Sequence, residues 1–322
     1  MGKNQSRAKA DFGCIDGTSK KIQNVYKLIA RFAALDMPVL ITGATGTGKE
    51  KCAEAIHTYS PRHEKDFVPF NCAAHTKDML ASALFGHIRD AFTGAFENRL
   101  GAITQAQGGT LFLDEIGDMP TEMQASLLRF TQDHNFQKLG SDKIIQANVR
   151  LICATNMDLE KQMKLGLFRE DLYYRLNAAH IHMPALKERA NDLVDIAYSL
   201  LEKICSEQEM ITPEISQEAM NILLSYDWPG NVREVENVLQ WCLSHHKNNI
   251  INVGDLPKDL GKHTIHKKQS PSALMKMPLR EIERNAIMAV IDQCQGNIVE
   301  AAAILDIAPS TIYRKMHEWE SR

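Results

Sequence analysis

The sequence lacks the patterns that identify disulfide-bonded, zinc-binding or membrane-spanning proteins. Its seven cysteines include no Cys-x-x-Cys pair, and its twelve histidines include no His-Glu-x-x-His motif. An odd number of scattered cysteines is typical of reduced thiols, so we expect a cytoplasmic protein. No apolar run approaches the length of a membrane span, and the first residues contain no apolar signal core, so no membrane partner is expected.

The charge balance excludes a strongly basic or strongly acidic chain. The 322 residues carry a formal net charge of −3, and 44% of them are hydrophobic. This is ordinary globular composition, and the length is sufficient for two or three domains. A nucleic-acid-binding surface would therefore have to concentrate its basic residues locally.

Short apolar runs alternate with helical stretches over the first two-thirds of the chain. Such alternation predicts an α/β fold with a parallel sheet that helices cover on both faces. The runs that we interpret as buried strands are 38–43, 67–71, 109–115, 149–156 and 180–186.

The strand patterns end near residue 187, and helical patterns continue from there. Residues 261–277 contain four lysines, no acidic residue and a Ser-Pro-Ser step, which predicts a linker. We therefore expect an α/β domain at 1–186, a small helical domain at 187–260 and a separate helical unit at 278–322.

Two helix starts are predicted inside the small helical domain. Thr212 is the expected N-cap of one helix, with Pro213 at its first position. Asn231 is the expected cap of another, with Glu234 completing a capping box.

A glycine-rich segment follows the first apolar strand and opens a helical stretch. Glycines in such a turn let backbone N–H groups face phosphate oxygens, and the helix N-terminus adds positive potential. Lys49 can reach the β- and γ-phosphates, whereas Glu50 occupies the place where the general pattern has a hydroxyl for Mg²⁺. The residues that we assign to nucleotide binding here are Gly43, Ala44, Thr45, Gly46, Thr47, Gly48, Lys49 and Glu50.

A second motif supplies a candidate metal ligand. The apolar run in "GGTLFLDEIGD" ends in Asp114 and Glu115. We expect Asp114 to hold Mg²⁺, directly or through water, and Glu115 to orient and polarise the attacking water. Asn156 ends the next strand and is placed to contact the γ-phosphate or that water. Two such motifs in this order favour a nucleoside triphosphate site over a glycine-rich turn and an acidic strand end.

Three arginines are candidates for sensing or stabilising phosphate charge. Arg169 and Arg175 lie six residues apart on a predicted helix, and a guanidinium supplied in trans stabilises charge on a transferred phosphoryl group. Surface pairing with Glu170 or Asp171 is the alternative that spacing alone favours. Arg233, near the start of a helix in the small helical domain, is placed to sense nucleotide from the lid side.

The last residues predict a helix, a turn and a second helix that would enter the major groove of DNA. Residues 278–322 carry a net charge of −2, so affinity must come from local basic residues, the lysine-rich linker and several sites in an oligomer. Asp306 lies in the turn, where an Asp tolerates left-handed backbone. The candidate DNA contacts are Ser310, Thr311, Tyr313, Arg314 and Lys315.

In order and in sequence, these motifs resemble the AAA+ transcriptional activators of sigma-54 RNA polymerase, the bacterial enhancer-binding proteins. The matching segments are "GTGKE", "FVPFNCAA", "LFGH", "AFTGAF", "GGTLFLDEIGDMP", "FREDLYYRLN" and "WPGNVRE", and the C-terminal unit resembles the Fis-type helix-turn-helix. The resemblance implies an AAA+ P-loop sheet with a helical lid, and ATP and Mg²⁺ as cofactors. It also implies a homo-oligomer, usually a hexameric ring, whose partners are promoter or enhancer DNA and RNA polymerase with its sigma factor.

The resemblance also implies roles for individual residues. Asn71 would hold the catalytic Glu115 and switch it when the γ-phosphate is present. The other matches are Asn156 with sensor I, Arg169 and Arg175 with the arginine fingers for the next subunit's ATP, and Arg233 with sensor II.

The segment "DAFTGAF" resembles the GAFTGA loop of this family. That loop is inserted in a helix, rises on ATP binding and contacts the sigma factor. Phe92 and Thr93 would be the contact residues, and Gly94 would keep the tip pliable. Packing of Phe92 or Phe96 into a local core is the alternative.

Departures from the family pattern leave two functional hypotheses open. Residue 90 is Asp where the family has its first Gly, and Ala81 and Ala83 stand where it usually has Glu. The first hypothesis is a ring-forming ATPase that remodels sigma-54 RNA polymerase at promoters. The second is a DNA-binding regulator that acts with ordinary polymerase and uses nucleotide or a second messenger, such as cyclic di-GMP, to set its oligomeric state.

Overall fold

The computed structural model describes most of the chain. The described residues are 15–74, 76–245, 249–258, 260, 283–284, 286–288, 290–291, 294, 297–305 and 307–320. They belong to two compact units, one that ends at Pro257 and one that begins at Lys258.

The helices and strands follow in chain order. The α-helices are α1 (Lys20–Ala33), α2 (Lys49–Thr58), α3 (Lys77–Phe85), α4 (Ala102–Gln105), α5 (Thr121–Asp133), α6 (Leu159–Lys164), α7 (Glu170–Leu176), α8 (Leu193–Glu207), α9 (Gln217–Ser225), α10 (Asn231–His245), α11 (Ile298–Ile304) and α12 (Pro309–Glu320). The strands are β1 (Val39–Thr42), β2 (Phe67–Asn71), β3 (Gly86–His87), β4 (Arg99–Leu100), β5 (Thr110–Asp114), β6 (Asn135–Gln137), β7 (Ile144–Gln146), β8 (Arg150–Thr155), β9 (Ala179–His182), β10 (Glu214–Ile215) and β11 (Ile250–Ile251).

A five-stranded sheet forms the centre of the first unit. Its strand order is β2-β5-β8-β1-β9, and all four neighbouring pairs are parallel. The five apolar runs identified in the sequence all form strands of this sheet, which confirms the predicted α/β class. Parallel strands place their carboxyl ends at one edge, so Thr42, Asn71, Asp114 and Thr155 lie together there.

Helices cover both faces of this sheet, as the alternating side chains of each strand require. Val39 and Ile41 of β1 pack with α1 and α2, whereas Leu40 faces the opposite layer. Phe112 of β5 packs on the α1 side, and Leu111 lies on the other side. Each of these side chains is almost wholly buried, and burying one stabilises the fold by about 2 kcal/mol relative to exposure.

Helices α8, α9 and α10 form a small helical lid within the first unit. The predicted helix start at Thr212 is wrong, because Glu214–Ile215 pairs with Ile250–Ile251 as a short parallel ladder. The helix starts instead at Gln217, after Ser216, whose hydroxyl accepts a hydrogen bond from the Ala219 backbone N–H at 3.3 Å.

The predicted capping box at α10 is also wrong. Asn231 does not cap its own helix, because its side chain bonds to Leu186 and to Thr45 instead. The Glu234 carboxylate accepts a hydrogen bond from the backbone N–H of Gly230 at 2.7 Å, one residue before the predicted cap.

The second unit contains the predicted helix pair, α11 and α12, and the second helix begins at Pro309. Ile287, Ile291 and Ile312 form a small buried core with Ala301 and Ala302. Small alanine side chains at this contact let the helices approach closely.

Some predicted features lie outside the described residues. They are the linker at 261–277, the turn residue Asp306 and the first fourteen residues of the chain. Within the described part, no helix combines the length and the apolar character that crossing a membrane requires.

Candidate functional site

The phosphate-binding loop, residues 43–50, joins the end of β1 to the start of α2. Gly48 precedes the helix with a φ of 98°, a left-handed conformation that favours glycine. Lys49 is buried, and its ammonium group donates a hydrogen bond to the Gly43 carbonyl at 3.1 Å. Glu50 is exposed at the next helical position. Backbone N–H groups at this helix start can therefore receive a phosphate.

The end of β5 carries the two predicted carboxylates. Glu115 has a φ of 50°, which is uncommon for a residue with a side chain. The Asp114 carboxylate accepts a hydrogen bond from the Glu115 backbone N–H at 3.0 Å. The Glu115 carboxylate in turn accepts from the Asn156 backbone N–H at 3.2 Å, and the Asn156 amide donates to the Thr45 hydroxyl at 2.9 Å. Asn156 thus connects the acidic strand end to the phosphate-binding loop.

A cavity of about 360 Å³ brings these groups together. Lys49, Asp114 and Glu115 all line it, so an ammonium group and two carboxylates face one space. Arg233 of the lid helix α10 lines the same cavity. An anionic ligand with a divalent cation fits this arrangement, because carboxylate oxygen is a preferred ligand of Mg²⁺.

Asn71 lies beside this acidic strand end. It ends β2 directly opposite Asp114 in the parallel register. Its side-chain oxygen accepts hydrogen bonds from the backbone N–H groups of Ala73 and Ala74 at 2.8 and 3.1 Å. The structure therefore places Asn71 beside Asp114, the residue before Glu115, and the amide oxygen of Asn71 is engaged by the turn after β2.

The two arginines predicted to act in trans lie elsewhere. Arg169 precedes α7 rather than lying on it, so the prediction that both arginines occupy one helix is wrong. Its guanidinium pairs with Asp171 at 2.7 Å, which holds the pKa of that carboxyl below its usual range. Arg175 lies on α7 and donates to the Thr131 carbonyl at 2.7 and 3.0 Å. Neither arginine is among the described residues that line the cavity beside Lys49.

The segment that resembles the sigma-contacting loop lies between α3 and α4. Strands β3 and β4 form its antiparallel base, and the backbone N–H of Asp90 donates to the Ala95 carbonyl at 2.7 Å. Phe92 is 44% exposed and Phe96 is 80% exposed, so neither aromatic ring is in the core, contrary to the alternative of local core packing. Asp90 has a φ of 64°. The Asp thus adopts a left-handed conformation at the position where the family has glycine.

The candidate DNA contacts lie at the start of α12. Ser310, Tyr313 and Arg314 are exposed, and Thr311 is half-buried. The ammonium group of Lys315 lies 2.7 Å from the Glu283 carboxylate, so this lysine is already paired within the unit.

Sequence reasoning missed several residues that complete the cavity. Ile15, Ile196 and Leu200 add an apolar wall, and Asp16 lies beside them. These residues come from the segment before α1 and from α8. Their local sequence patterns predict only a helix or a loop, and they predict no binding site. Their common position depends on how the lid packs, which no local pattern encodes.

A parallel sheet whose phosphate-binding loop and paired carboxylates face a helical lid across one cavity defines the AAA+ class of P-loop proteins. The comparisons with known families extend this class along the chain. Residues 15–182 match the sigma-54 interaction domain, residues 187–273 the AAA+ ATPase lid domain, and residues 278–319 the Fis family of bacterial regulatory proteins.

Individual proteins are similar over the same span. The chain is 45% identical to the regulatory protein LuxO of Vibrio parahaemolyticus over 313 residues, covering 95% of this chain and 69% of LuxO. It is 40% identical to the transcriptional regulatory protein ZraR of Salmonella typhimurium over 311 residues, covering 97% of this chain and 70% of ZraR. The crystal structure of NtrX from Brucella abortus in complex with ATP superposes with a TM-score of 0.72 at 31% identity, covering 94% of this chain and 69% of NtrX.

The chain belongs to the family of sigma-54-dependent transcriptional activators. It is a DNA-binding transcriptional regulator built on an AAA+ domain with a Fis-type helix-turn-helix. These relatives support the first of the two hypotheses, and they give no support to the regulator that acts with ordinary polymerase.

Proposed function

We propose that this protein hydrolyses Mg²⁺·ATP between neighbouring copies in a homo-oligomeric ring and uses the hydrolysis to remodel sigma-54 RNA polymerase. The observation that carries the proposal is the shared cavity, in which Lys49, Asp114, Glu115 and Arg233 converge. The similarity to NtrX, which was crystallised with ATP and with ADP, supports adenine nucleotide as the ligand.

Each group in the cavity has a task that follows from its chemistry. Lys49 and the loop N–H groups bind the phosphates, and Asp114 supplies an oxygen ligand for Mg²⁺. When bound, Mg²⁺ neutralises charge on the phosphate oxygens. Glu115 orients and polarises the attacking water, and Asn156 holds Glu115 beside the loop. Arg233 senses the phosphates from the lid.

A second copy of the chain completes the site. Arg169 and Arg175 do not line the cavity of their own chain, so we assign them to a neighbour's nucleotide, for which each would exchange its present contact with Asp171 or with the Thr131 carbonyl. In such a ring the contact is heterologous, with one face supplying the pocket and the other the arginines. Asn71 switches Glu115 by exchanging its present backbone contacts for the carboxylate.

Movement of the loop at residues 88–98 transmits the energy of ATP hydrolysis to the polymerase. Phe92 and Thr93 contact the sigma factor, and Gly94 gives the tip freedom, since nothing lies within 4 Å of the position of its absent β-carbon. The helix-turn-helix binds promoter or enhancer DNA through Ser310, Thr311, Tyr313, Arg314 and Lys315, and so concentrates the ring near its polymerase.

The test is steady-state ATP turnover at rising protein concentration. Turnover per chain should increase as the oligomer assembles, and Glu115→Gln should lower kcat by at least about 100-fold while ATP still binds. The matched control is Glu122→Gln, which makes the same change in the first turn of α5. Turnover that is independent of concentration, or that survives in Glu115→Gln, would refute the proposal.

A further inference from the structure

The lid contacts the backbone of the phosphate-binding loop at three consecutive carbonyl groups. Each carbonyl oxygen accepts one hydrogen bond from the lid or from the segment that leads into it. The three pairs are Asn231 Nδ2 to the Thr45 carbonyl at 2.9 Å, the Val232 N–H to the Gly46 carbonyl at 2.9 Å, and Arg189 Nη2 to the Thr47 carbonyl at 3.1 Å.

Asn231 is the centre of this contact. It is 2% exposed, and its side-chain oxygen accepts a hydrogen bond from the Leu186 backbone N–H at 2.8 Å. Its φ is 53°, a left-handed conformation held by the surrounding structure. One buried amide therefore joins the phosphate-binding loop, the segment between the sheet and the lid, and the start of α10.

A second observation shows how closely the loop and the lid approach. A β-carbon placed on Gly46 would lie 2.2 Å from the Gly230 carbonyl oxygen. The two backbones therefore touch directly, and only glycine fits at this position of the loop.

These contacts determine where the phosphate-binding N–H groups point. In a planar trans peptide, the carbonyl of one residue and the N–H of the next point in opposite directions. Fixing the carbonyls of Thr45, Gly46 and Thr47 on these three donors therefore turns the next three N–H groups to the opposite side of the loop backbone. Those N–H groups belong to Gly46, Thr47 and Gly48, and all three residues line the cavity, although the Thr47 N–H also makes a long hydrogen bond of 3.4 Å to the Ala44 carbonyl.

We propose that Asn231 is a positioning residue that orients the backbone N–H groups of the phosphate-binding loop for nucleotide. The inference rests on the proposed function of the cavity as a nucleotide site. Asn231 touches no reacting atom and acts through the Thr45 carbonyl. Lid position and loop conformation are therefore coupled, and a change in one changes the other.

The test uses Asn231→Asp and Asn231→Gly in the full chain. In Asn231→Asp, a carboxylate oxygen can still accept the hydrogen bond from the Leu186 backbone N–H, but the side chain has no N–H to donate to the Thr45 carbonyl. Gly accepts the left-handed φ without strain and removes all hydrogen bonds of the Asn231 side chain, including a long one to the Pro229 carbonyl at 3.4 Å. The control is Asn237→Asp, which makes the same charge change at an exposed position of the same helix.

ADP affinity by calorimetry is the first measurement, because it does not depend on turnover. We expect both Asn231 variants to bind ADP about tenfold more weakly, because both lose the buried hydrogen bond to the Thr45 carbonyl, and the control to bind as the parent does. KM for ATP should rise by about the same factor, while kcat changes less than about threefold, since Glu115 is untouched.

The outcomes separate this inference from the proposed function. Parent-like ADP affinity and KM in both Asn231 variants would overturn the positioning role and leave the ATPase intact. A parent chain that binds ADP but never turns over ATP would refute the proposed function, while ADP affinity would still decide the role of Asn231. If Asn231→Asp fails to fold, Asn231→Gly decides alone, with ADP affinity measured at a temperature well below the Tm of that variant, so that weaker binding is a property of the folded chain.

Discussion

Replacing Gly46 by alanine separates ordinary backbone strain from collision with the lid. Gly46 has a φ of 76°, and a β-carbon there meets the Gly230 carbonyl at 2.2 Å. Gly108 has a φ of 79°, and nothing lies within 4 Å of its β-carbon position. Gly108→Ala is therefore a matched control that introduces the same strain, about 1 to 2 kcal/mol, without the collision.

The structure gives the additional cost of Gly46→Ala. Because the obstacle is backbone, the loop and the lid must separate, which breaks the Val232 N–H bond to Gly46 and the Asn231 bond to Thr45. Two such bonds contribute about 2 kcal/mol together. That free energy corresponds to about 30-fold in affinity and to a Tm about 4 to 8 °C below that of Gly108→Ala.

Calorimetric ADP titration and thermal unfolding of the two variants provide the assay. We expect Gly46→Ala to lose ADP affinity, whereas Gly108→Ala keeps the parent value. If both variants lower Tm equally and both bind ADP as the parent does, then the direct contact between loop and lid has no energetic role.

Three further outcomes are expected. Burial lowers the pKa of His57, so the folded chain binds the His57 proton more weakly than the unfolded chain does. The free energy of unfolding should therefore fall as the pH drops below the unfolded pKa of about 6.5. His57→Asn should flatten the resulting fall in Tm between about pH 7 and pH 5. Asp90 has a φ of 64°, which glycine adopts freely and a β-branched residue adopts only with strain. In urea titrations, Asp90→Gly should therefore change the free energy of unfolding by less than about 0.5 kcal/mol, whereas Asp90→Val should lower it by about 1 to 2 kcal/mol. Arg314→Ala should weaken DNA binding and reduce its salt dependence by about one ion in fluorescence titrations, and more than Lys315→Ala, because Glu283 already neutralises Lys315.

The central sheet is the part of the fold that local sequence patterns predict best. Runs such as the one ending at Asp114 are apolar on both faces, which is typical of a strand that helices cover on both sides. Because parallel strands end at one edge, the order of the motifs also predicts that Lys49 and Asp114 face one space. The shared cavity lining agrees with that expectation.

The contacts of the lid could not be predicted in the same way. Asn231 has the side chain and the position of a helix cap. Its amide nevertheless donates a hydrogen bond to the carbonyl of Thr45, which is 186 residues away in sequence. The prediction of a cap at Thr212 was wrong because Glu214–Ile215, just before the helix, pairs with Ile250–Ile251 as a two-residue ladder. In both cases, a tertiary partner provides hydrogen bonds that compete with the local capping pattern.

Mixing two inactive variants tests most directly whether neighbouring copies share each triphosphate. Lys49→Ala lacks a working pocket but keeps its arginines, whereas Arg175→Ala keeps the pocket and lacks an arginine. We expect each variant alone to show no ATP turnover. In an equimolar mixture, about a quarter of the interfaces of a head-to-tail ring should pair an intact pocket with an intact arginine and restore turnover in proportion. A mixture that assembles but stays inactive, or an Arg175→Ala variant with full turnover, would contradict the shared site.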